Sequence, residues 1–288
     1  MTKKFLRLEQ RQNQSPKILI RNHVNNGFLV IDKPSGMTSH DVVAIARKKL
    51  GTKKIGHAGT LDPMATGVLV LGVGDGTRLL QYITAGIKAY DATVKLGQLT
   101  STDDKEGEVI ATTGIPKDIP AAFAKQVGKI MQKPSSVSAI RIDGKRAYDL
   151  VREGVEVDIP AREVEVYEIK INEIRGDEVD ISVKCSAGTY IRAIARDCGG
   201  HLTALRRTQV GIFDLSMAGQ LMSVVEVASK IFTPRQLDLQ EAAEMKFGRN
   251  IQPSGVAGIV AAITPQGELA ALLEDKDGMA KPFTVFVK

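Results

Sequence analysis

Asp62 lies in the segment Gly56-His57-Ala58-Gly59-Thr60-Leu61-Asp62-Pro63-Met64-Ala65-Thr66-Gly67. An ionised carboxylate fixed in such a loop can stabilise or covalently trap an electron-poor carbon. An aspartate before a proline is equally a turn former, because its oxygens bond nearby backbone amides. On spacing alone the turn reading leads, with Gly56, Gly59 and Gly67 as turn glycines. No Gly-Lys-Ser/Thr follows them, so the segment does not match a phosphate-binding P-loop. Asp103-Asp104-Lys105-Glu106-Gly107-Glu108 fails the spacing of a calcium loop. His57 has no second histidine or carboxylate at ligand spacing, so it could contact RNA or act as a base but is a poor metal ligand. Cys185 and Cys198 are too few and too oddly spaced for a disulfide framework or a zinc site, and are read as reduced and packed.

These residues need elements to hold them. Gly27 to Lys33 reads as a short apolar strand ended by Pro34. Thr38, followed by Asp41 and an apolar-periodic run up to Gly51, marks a capped helix. Val68-Leu69-Val70-Leu71 reads as a strand, and Tyr90, Ala92, Val94 and Leu96 alternate with polar neighbours as one face of a half-buried strand. By phase alone, Tyr90 is a core tyrosine. Ala121 to Ile130 and Arg146 to Glu153 read as helices, Val164 starts a strand region, and Val179 to Cys185 is the clearest strand of all. The expected fold class is α+β, with a mixed, largely antiparallel sheet flanked by helices. Beyond Phe232 the pattern breaks. Three further strand-like runs follow, at 258–263, 268–273 and 283–286, the first pair joined by a turn with Pro265 and Gly267. The expected division is a basic extension over 1–26, a catalytic body over 27–232 and a small β-rich unit over 233–288.

The 288 residues, 43% hydrophobic and 25% charged, describe an ordinary globular chain. No apolar run reaches the roughly 20 residues of a membrane span, and the start lacks a secretory pattern, so a cytoplasmic protein is expected. Lys3, Lys4, Arg7, Arg11, Lys17 and Arg21 against Glu9 put all but one unit of the net charge of +6 into the first 26 residues. The body is nearly neutral, so local sites must carry any case for a polyanionic partner. The extension is read as a solvated arm, with steering of RNA as the alternative.

The stretch GHAGTLDPMATGVLVLGVGDGTRL resembles the catalytic motif of the bacterial tRNA pseudouridine-55 synthases. Four more segments match that family in order: VIDKPSGMTSHDVV from Val30, KAYDATVKLGQLTSTDDKEG from Lys88, PSSVSAIRIDGKRAYDLVREG from Pro134, and CSAGTYIRAIARD from Cys185. The resemblance implies a pseudouridine synthase fold and an enzyme that detaches a T-loop uridine of tRNA from its ribose, turns it and rejoins it through carbon, without cofactor, metal or guide RNA. It implies that Asp62 is the nucleophile, attacking sugar or base, and that Arg192 pairs with it. An aspartate enclosed by a bound nucleotide needs such a partner cation to stay ionised. Read without the family, Arg192 could equally face solvent on the helix after the strong strand.

The resemblance also places Tyr90 against the target base, where its ring could stack and its hydroxyl could move a proton. His57, Tyr190, Leu205, Lys33 and Arg206 make up the implied substrate- and RNA-binding set. Of these, His57 would fill space left by flipped nucleotides, Lys33 is read as structural ahead of catalytic, and Leu205 as a buried helix leucine. Extruding a stacked uridine costs a few kcal/mol, which contacts to the T stem-loop would offset. Lys53-Lys54, Lys145-Arg146 and Arg206-Arg207 are candidate phosphate contacts. After Asp197 the chain is shorter than the family pattern, with Cys198-Gly199-Gly200 leading almost directly to His201. From about Asp238 the tail resembles the PUA-like C-terminal domain of actinobacterial relatives. The implied working unit is a monomer that acts on tRNA away from membranes; a tRNA-folding chaperone of the same fold, indifferent to Asp62, is the alternative.

Overall fold

The computed structural model describes residues 25–138, 141–142, 144–147 and 157–287. The first 24 residues and most of the helix expected over 146–153 lie outside them. The strands are β1 (Gly27–Lys33), β2 (Ile55–His57), β3 (Thr66–Val73), β4 (Lys88–Thr100), β5 (Val109–Gly114), β6 (Gly128–Gln132), β7 (Arg141–Ile142), β8 (Lys145–Arg146), β9 (Arg162–Arg175), β10 (Glu178–Cys185), β11 (Gly200–Val210), β12 (Phe213–Asp214), β13 (Leu221–Met222), β14 (Thr233–Gln236), β15 (Ile259–Ile263), β16 (Leu269–Lys276) and β17 (Met279–Val285). The main sheet runs β13-β1-β3-β11-β4-β10-β9-β6, with β2, β5 and β12 paired at its margins. Its pairings are antiparallel except β3 with β11, so the sheet is mixed and largely antiparallel, as the unalternating order of elements predicts.

The unbroken run Val68-Leu69-Val70-Leu71 is explained by burial on both faces of the sheet. Leu69 and Leu71, with Leu29 and Ile31 of β1, pack on Val42, Val43 and Ala46 of the helix Ser39–Leu50. Val68 and Val70, with Phe28 and Val30, face Val224, Val227 and Ala228 of the helix Val224–Ile231 and Ala261, Leu269 and Leu272 of the C-terminal sheet. Thr38 and Asp41 close a reciprocal capping box on the first helix, and Gly51, at φ 65°, ends it in the left-handed region. Tyr90, Ala92, Val94 and Leu96 instead share a core with Ile191 and Ile194 of the helix Ile191–Asp197. The C-terminal sheet, β14-β15-β16-β17, includes the three strand runs expected beyond 258. Among the described residues no helix is long and apolar enough to cross a membrane.

Three expectations need correction. The helix expected over 121–130 spans only Ile119–Ala124, because Gly128 at φ 103° starts β6, whose backbone pairs with β9. Arg146 closes the β7–β8 hairpin and Ala147, the next residue, is helical, so the expected helix starts one residue later, and the side chains of the pair Lys145-Arg146 lie outside the described atoms. Leu205 is on β11, paired with Ala92 of β4, and not on a helix. The short 198–200 connection turns through Gly199, at φ 83°, and leads straight into β11.

Candidate active site

Four strands set the site by register. Lys33 of β1 pairs with Gly67 of β3, Gly67 with Arg207 of β11, and Arg207 with Tyr90 of β4. The loop carrying Asp62 enters β3 just before this row. Its backbone is gripped almost residue by residue. Arg207 donates to Gly59 O (3.0 Å) and Thr60 O (3.2 Å) ahead of Asp62, and to Val68 O (2.8 Å) beyond it. Ser39 Oγ accepts from Leu61 N and donates to Leu61 O. Lys33 Nζ donates to Pro63 O, Pro34 O and Met37 O, and Ser35 Oγ to Met64 O. The local turn closes through Ala65 N donating to Asp62 O. The turn inferred from spacing therefore exists, and side chains from distant strands hold it.

The Asp62 carboxylate, about one third exposed, faces the buried guanidinium of Arg192, the second residue of the helix Ile191–Asp197. Nε lies 3.0 Å from Oδ2 as an ion pair outside hydrogen-bond alignment, and Nη2 donates to Oδ1 at 3.3 Å. Arg192 is 3% exposed and does not face solvent. Its remaining contacts are Thr102 O and Val137 O, each at 2.8 Å, and Ser135 Oγ and the buried Asp104 carboxylate, each at 3.4 Å. The acidic run after β4 thus serves as a cradle: Asp104 orders its own turn by accepting from Thr102 Oγ1 and Glu106 N, while facing Arg192.

A cleft of about 320 Å³ opens beside Asp62, lined also by Tyr90, Tyr190, Leu205, Arg192, Arg207 and Lys88. Despite the short 198–200 connection, Leu205 reaches it. Tyr90 is both a core tyrosine, packed with Leu61 and Met64, and a lining residue. Burial pushes its phenol above its usual range, with the Arg207 guanidinium opposing, so it remains a neutral proton donor at physiological pH. Tyr190 caps the helix; Gln132 accepts from its N–H and donates to its carbonyl, and Arg162 lies over its ring at 5.3 Å. Lys88, buried at the cleft wall, donates to Thr84 O and Gly86 O, and burial lowers its ammonium to about 8.

Other sequence-predicted site residues sit differently. Lys33 is fully buried behind the Asp62 loop and does not line the cleft, so as a substrate contact it is corrected to an anchor of that loop. Arg206 points away from Arg207 and pairs with Asp32 through both terminal nitrogens, at 2.9 and 2.7 Å. Arg207, 1% exposed, is no surface phosphate contact at all. Lys54 pairs with Asp75 at 2.8 Å. His57, half-buried on β2, lies edge-on to His40 at 5.6 Å and outside the cleft lining. Both cysteines are buried and reduced. Sequence reasoning missed Gln132 and Arg162, which carry no local signal, and the place of Lys88, although it opens a family-like segment. It also missed the role of Asp104, although the family-like segment from Lys88 contains it.

Residues 47–191 match the family model described as TruB family pseudouridylate synthase (N terminal domain), and residues 232–287 match tRNA Pseudouridine synthase II, C terminal. The chain is 48% identical to the tRNA pseudouridine synthase B of Corynebacterium glutamicum (strain R), over 91% of this chain and 95% of that protein. With its counterpart from Arthrobacter sp. (strain FB24) it shares 46% identity over 91% and 96% of the two chains. Among solved structures, a chain in the structure of an H/ACA RNP bound to a substrate RNA containing 2'-deoxyuridine shares the fold, with a TM-score of 0.68 at 23% identity over 92% of this chain and 86% of that one. With both parts of the family pattern matched and nearly half of all residues shared with curated relatives over nine tenths of its length, the chain belongs to the TruB family of pseudouridylate synthases.

Proposed function

We propose that this chain is a stand-alone tRNA pseudouridine synthase that converts the T-loop uridine at tRNA position 55 to pseudouridine, with Asp62 as nucleophile. In the net reaction the N1–C1′ bond breaks, a C5–C1′ bond forms, and the proton leaves C5 while N1 gains one. The observation that carries this reading is the contrast at Asp62: its backbone surroundings and its partner Arg192 are fixed, while its carboxylate opens onto a cleft with Tyr90 and Leu205. A preorganised carboxylate meets developing positive charge at the sugar, or attacks the base, without first reorganising. Tyr90, a buried neutral phenol, is suited to stack on the uracil and move a proton. Arg192 keeps the carboxylate aimed.

At about 320 Å³ the cleft is on the scale of one nucleoside and too small for a duplex, which supports base flipping out of the T stem-loop. In this reading the body over 27–232 does the chemistry, the PUA-like unit over 233–288 holds RNA, the basic first 26 residues are a solvated arm, Tyr190 borders the bound nucleotide, and His57 and Arg206, outside the cleft, meet RNA beyond it. The enzyme works as a monomer in the cytoplasm, with no guide RNA and no cofactor. The deciding experiment is conversion of an unmodified tRNA transcript, read by mass spectrometry after uridine-specific labelling. Wild type converts the T-loop uridine without added metal or guide; Asp62→Ala binds the tRNA and converts none. Unchanged turnover in Asp62→Ala sinks the mechanism. Activity only with a guide RNA sinks the stand-alone reading, and tRNA refolding by a protein without turnover favours the chaperone.

A further inference from the structure

The polar groups buried along the cleft wall are almost all spoken for. Arg207 is taken by three backbone carbonyls, Lys88 by two, Arg192 by Asp62, Asp104 and two carbonyls, and the Tyr90 hydroxyl sits against Arg207. Ser138 differs. It lines the same cleft, it is only 4% exposed, and among the described residues its Oγ meets no hydrogen-bond partner. A buried hydroxyl without a partner costs free energy, so such groups in native proteins call for an explanation, a ligand among them.

Its placement is not accidental. The segment leading to it is tied to the reactive centre by the residue that faces Asp62: Arg192 donates through Nη2 to Val137 O at 2.8 Å and through Nη1 to Ser135 Oγ at 3.4 Å. Ser135 Oγ in turn donates to Thr102 O. One guanidinium therefore fixes both the Asp62 carboxylate and the backbone one residue before Ser138. A side chain there is held in register with the reacting atoms by the same device that orients the nucleophile.

We propose that Ser138 Oγ hydrogen-bonds the target uridine in the cleft and so helps hold the nucleoside in place while its base is detached and turned. A hydroxyl both donates and accepts, so it can follow a ring whose polar edge changes as the base turns. Ser138 is then a substrate contact whose hydroxyl is satisfied only in the complex. This rests on the reading of the cleft as the uridine site.

That assignment predicts a pair of signs which a structural serine would not give. In Ser138→Ala the free protein should melt at the wild-type temperature or slightly above it, because the lost oxygen had no protein partner. The single-turnover rate of pseudouridine formation at saturating T-stem-loop RNA should fall about tenfold, the scale of one hydrogen bond. RNA affinity should change less than twofold, since stem contacts outside the cleft dominate it. Ser138→Thr, which keeps the hydroxyl, should recover more of the rate than Ser138→Cys. A Ser138→Ala protein that is destabilised or fails to fold overturns the assignment, because the hydroxyl would then have a structural partner. So does a stable variant that turns over at the wild-type rate. If wild type itself converts no uridine, the functional reading falls first; if wild type converts and Ser138→Ala matches it, only the Ser138 contact falls.

Discussion

Arg192 bridges Asp62 and Val137 with a single guanidinium, Nε 3.0 Å from the carboxylate and Nη2 donating to the carbonyl at 2.8 Å, while Nη1 faces Asp104. Lysine offers one compact charge and no planar fork, so it cannot serve two carboxylates and two carbonyls lying in different directions. Arg192→Lys should lower the single-turnover rate at least about a hundredfold and destabilise the fold by about 3 kcal/mol, because Asp104, 4% exposed at its side chain, loses its buried countercharge. Rapid-quench kinetics and urea unfolding check the two parts. A rate within threefold of wild type would show that Asp62 needs no fork.

Gly67 is conformationally demanding. Its φ is 103°, and a Cβ built on it would stand 2.1 Å from the carbonyl oxygen of Arg207 on the neighbouring strand. Since Gly67 also pairs with Lys33 on its other side, the strand has no room to move. Gly67→Ala should cost at least about 3 kcal/mol, from backbone strain and the clash together, and should lower turnover more than Gly51→Ala, whose added Cβ meets nothing within 4 Å. Thermal melts of the two variants, side by side, give the comparison.

Much of this arrangement is readable from residue order, and the exceptions share a cause. Helix Ser39–Leu50 is written in Thr38, Asp41 and Gly51, and β4 in the alternation from Tyr90 to Leu96, because these signals are local. Gly67 reads as a turn glycine from sequence, since nothing nearby says that Arg207 will cross within contact of it. The pair Arg206-Arg207 reads as one basic patch, yet consecutive residues on a strand point to opposite faces. Assigning Leu205 to a helix concealed that alternation. Gln132 owes its place to the backbone of Tyr190, and Lys33 in part to Pro63 O, both distant in the chain, while Lys88 bonds carbonyls at 84 and 86 but is buried by strands that no local pattern brings to it. The helix expected over 121–130 fails at Gly128, where pairing with β9 outweighs local helical preference.

The opposite orientations of the two arginines separate their predicted effects. Arg207→Met leaves the carbonyls of Gly59, Thr60 and Val68 without their buried donor and frees the loop on both sides of Asp62. A loss of about 3 kcal/mol and a fall in turnover larger than the fall in RNA affinity are expected. Arg206→Ala breaks a partly solvated pair with Asp32, whose side chain is 38% exposed, so its cost should stay near or below about 1 kcal/mol. Its effect should appear instead in the salt dependence of tRNA binding, if it borders the phosphates. Equal destabilisation by both substitutions would contradict the strand orientation.

Lys33 gives a pH signature of opposite sign to that of an ordinary surface lysine pair. Burial lowers its ammonium from 10.5 to about 8, with Asp62 opposing. Below pH 8 folded and unfolded chains both hold the proton, and the folded state bears the cost of burying the charge. Between about 8 and 10.5 the unfolded chain keeps a proton that the folded chain has released, so stability rises with pH over that window. Lys88, also lowered to about 8, contributes in the same direction. Cys185 and Cys198, pushed up to about 11 and about 12 by burial, oppose it above pH 9, where their thiols ionise more readily in the unfolded chain. The comparison of wild type with Lys33→Met cancels these shared contributions. The stability difference between the two proteins should be flat below pH 8 and then shift in favour of wild type by on the order of 3 kcal/mol by pH 10.5. Urea unfolding at pH 7, 8, 9 and 10 measures it. A difference that shrinks as the pH rises would mean that Lys33 is held as a cation by Asp62 more strongly than burial opposes it, and would make the two residues a charge pair across the loop.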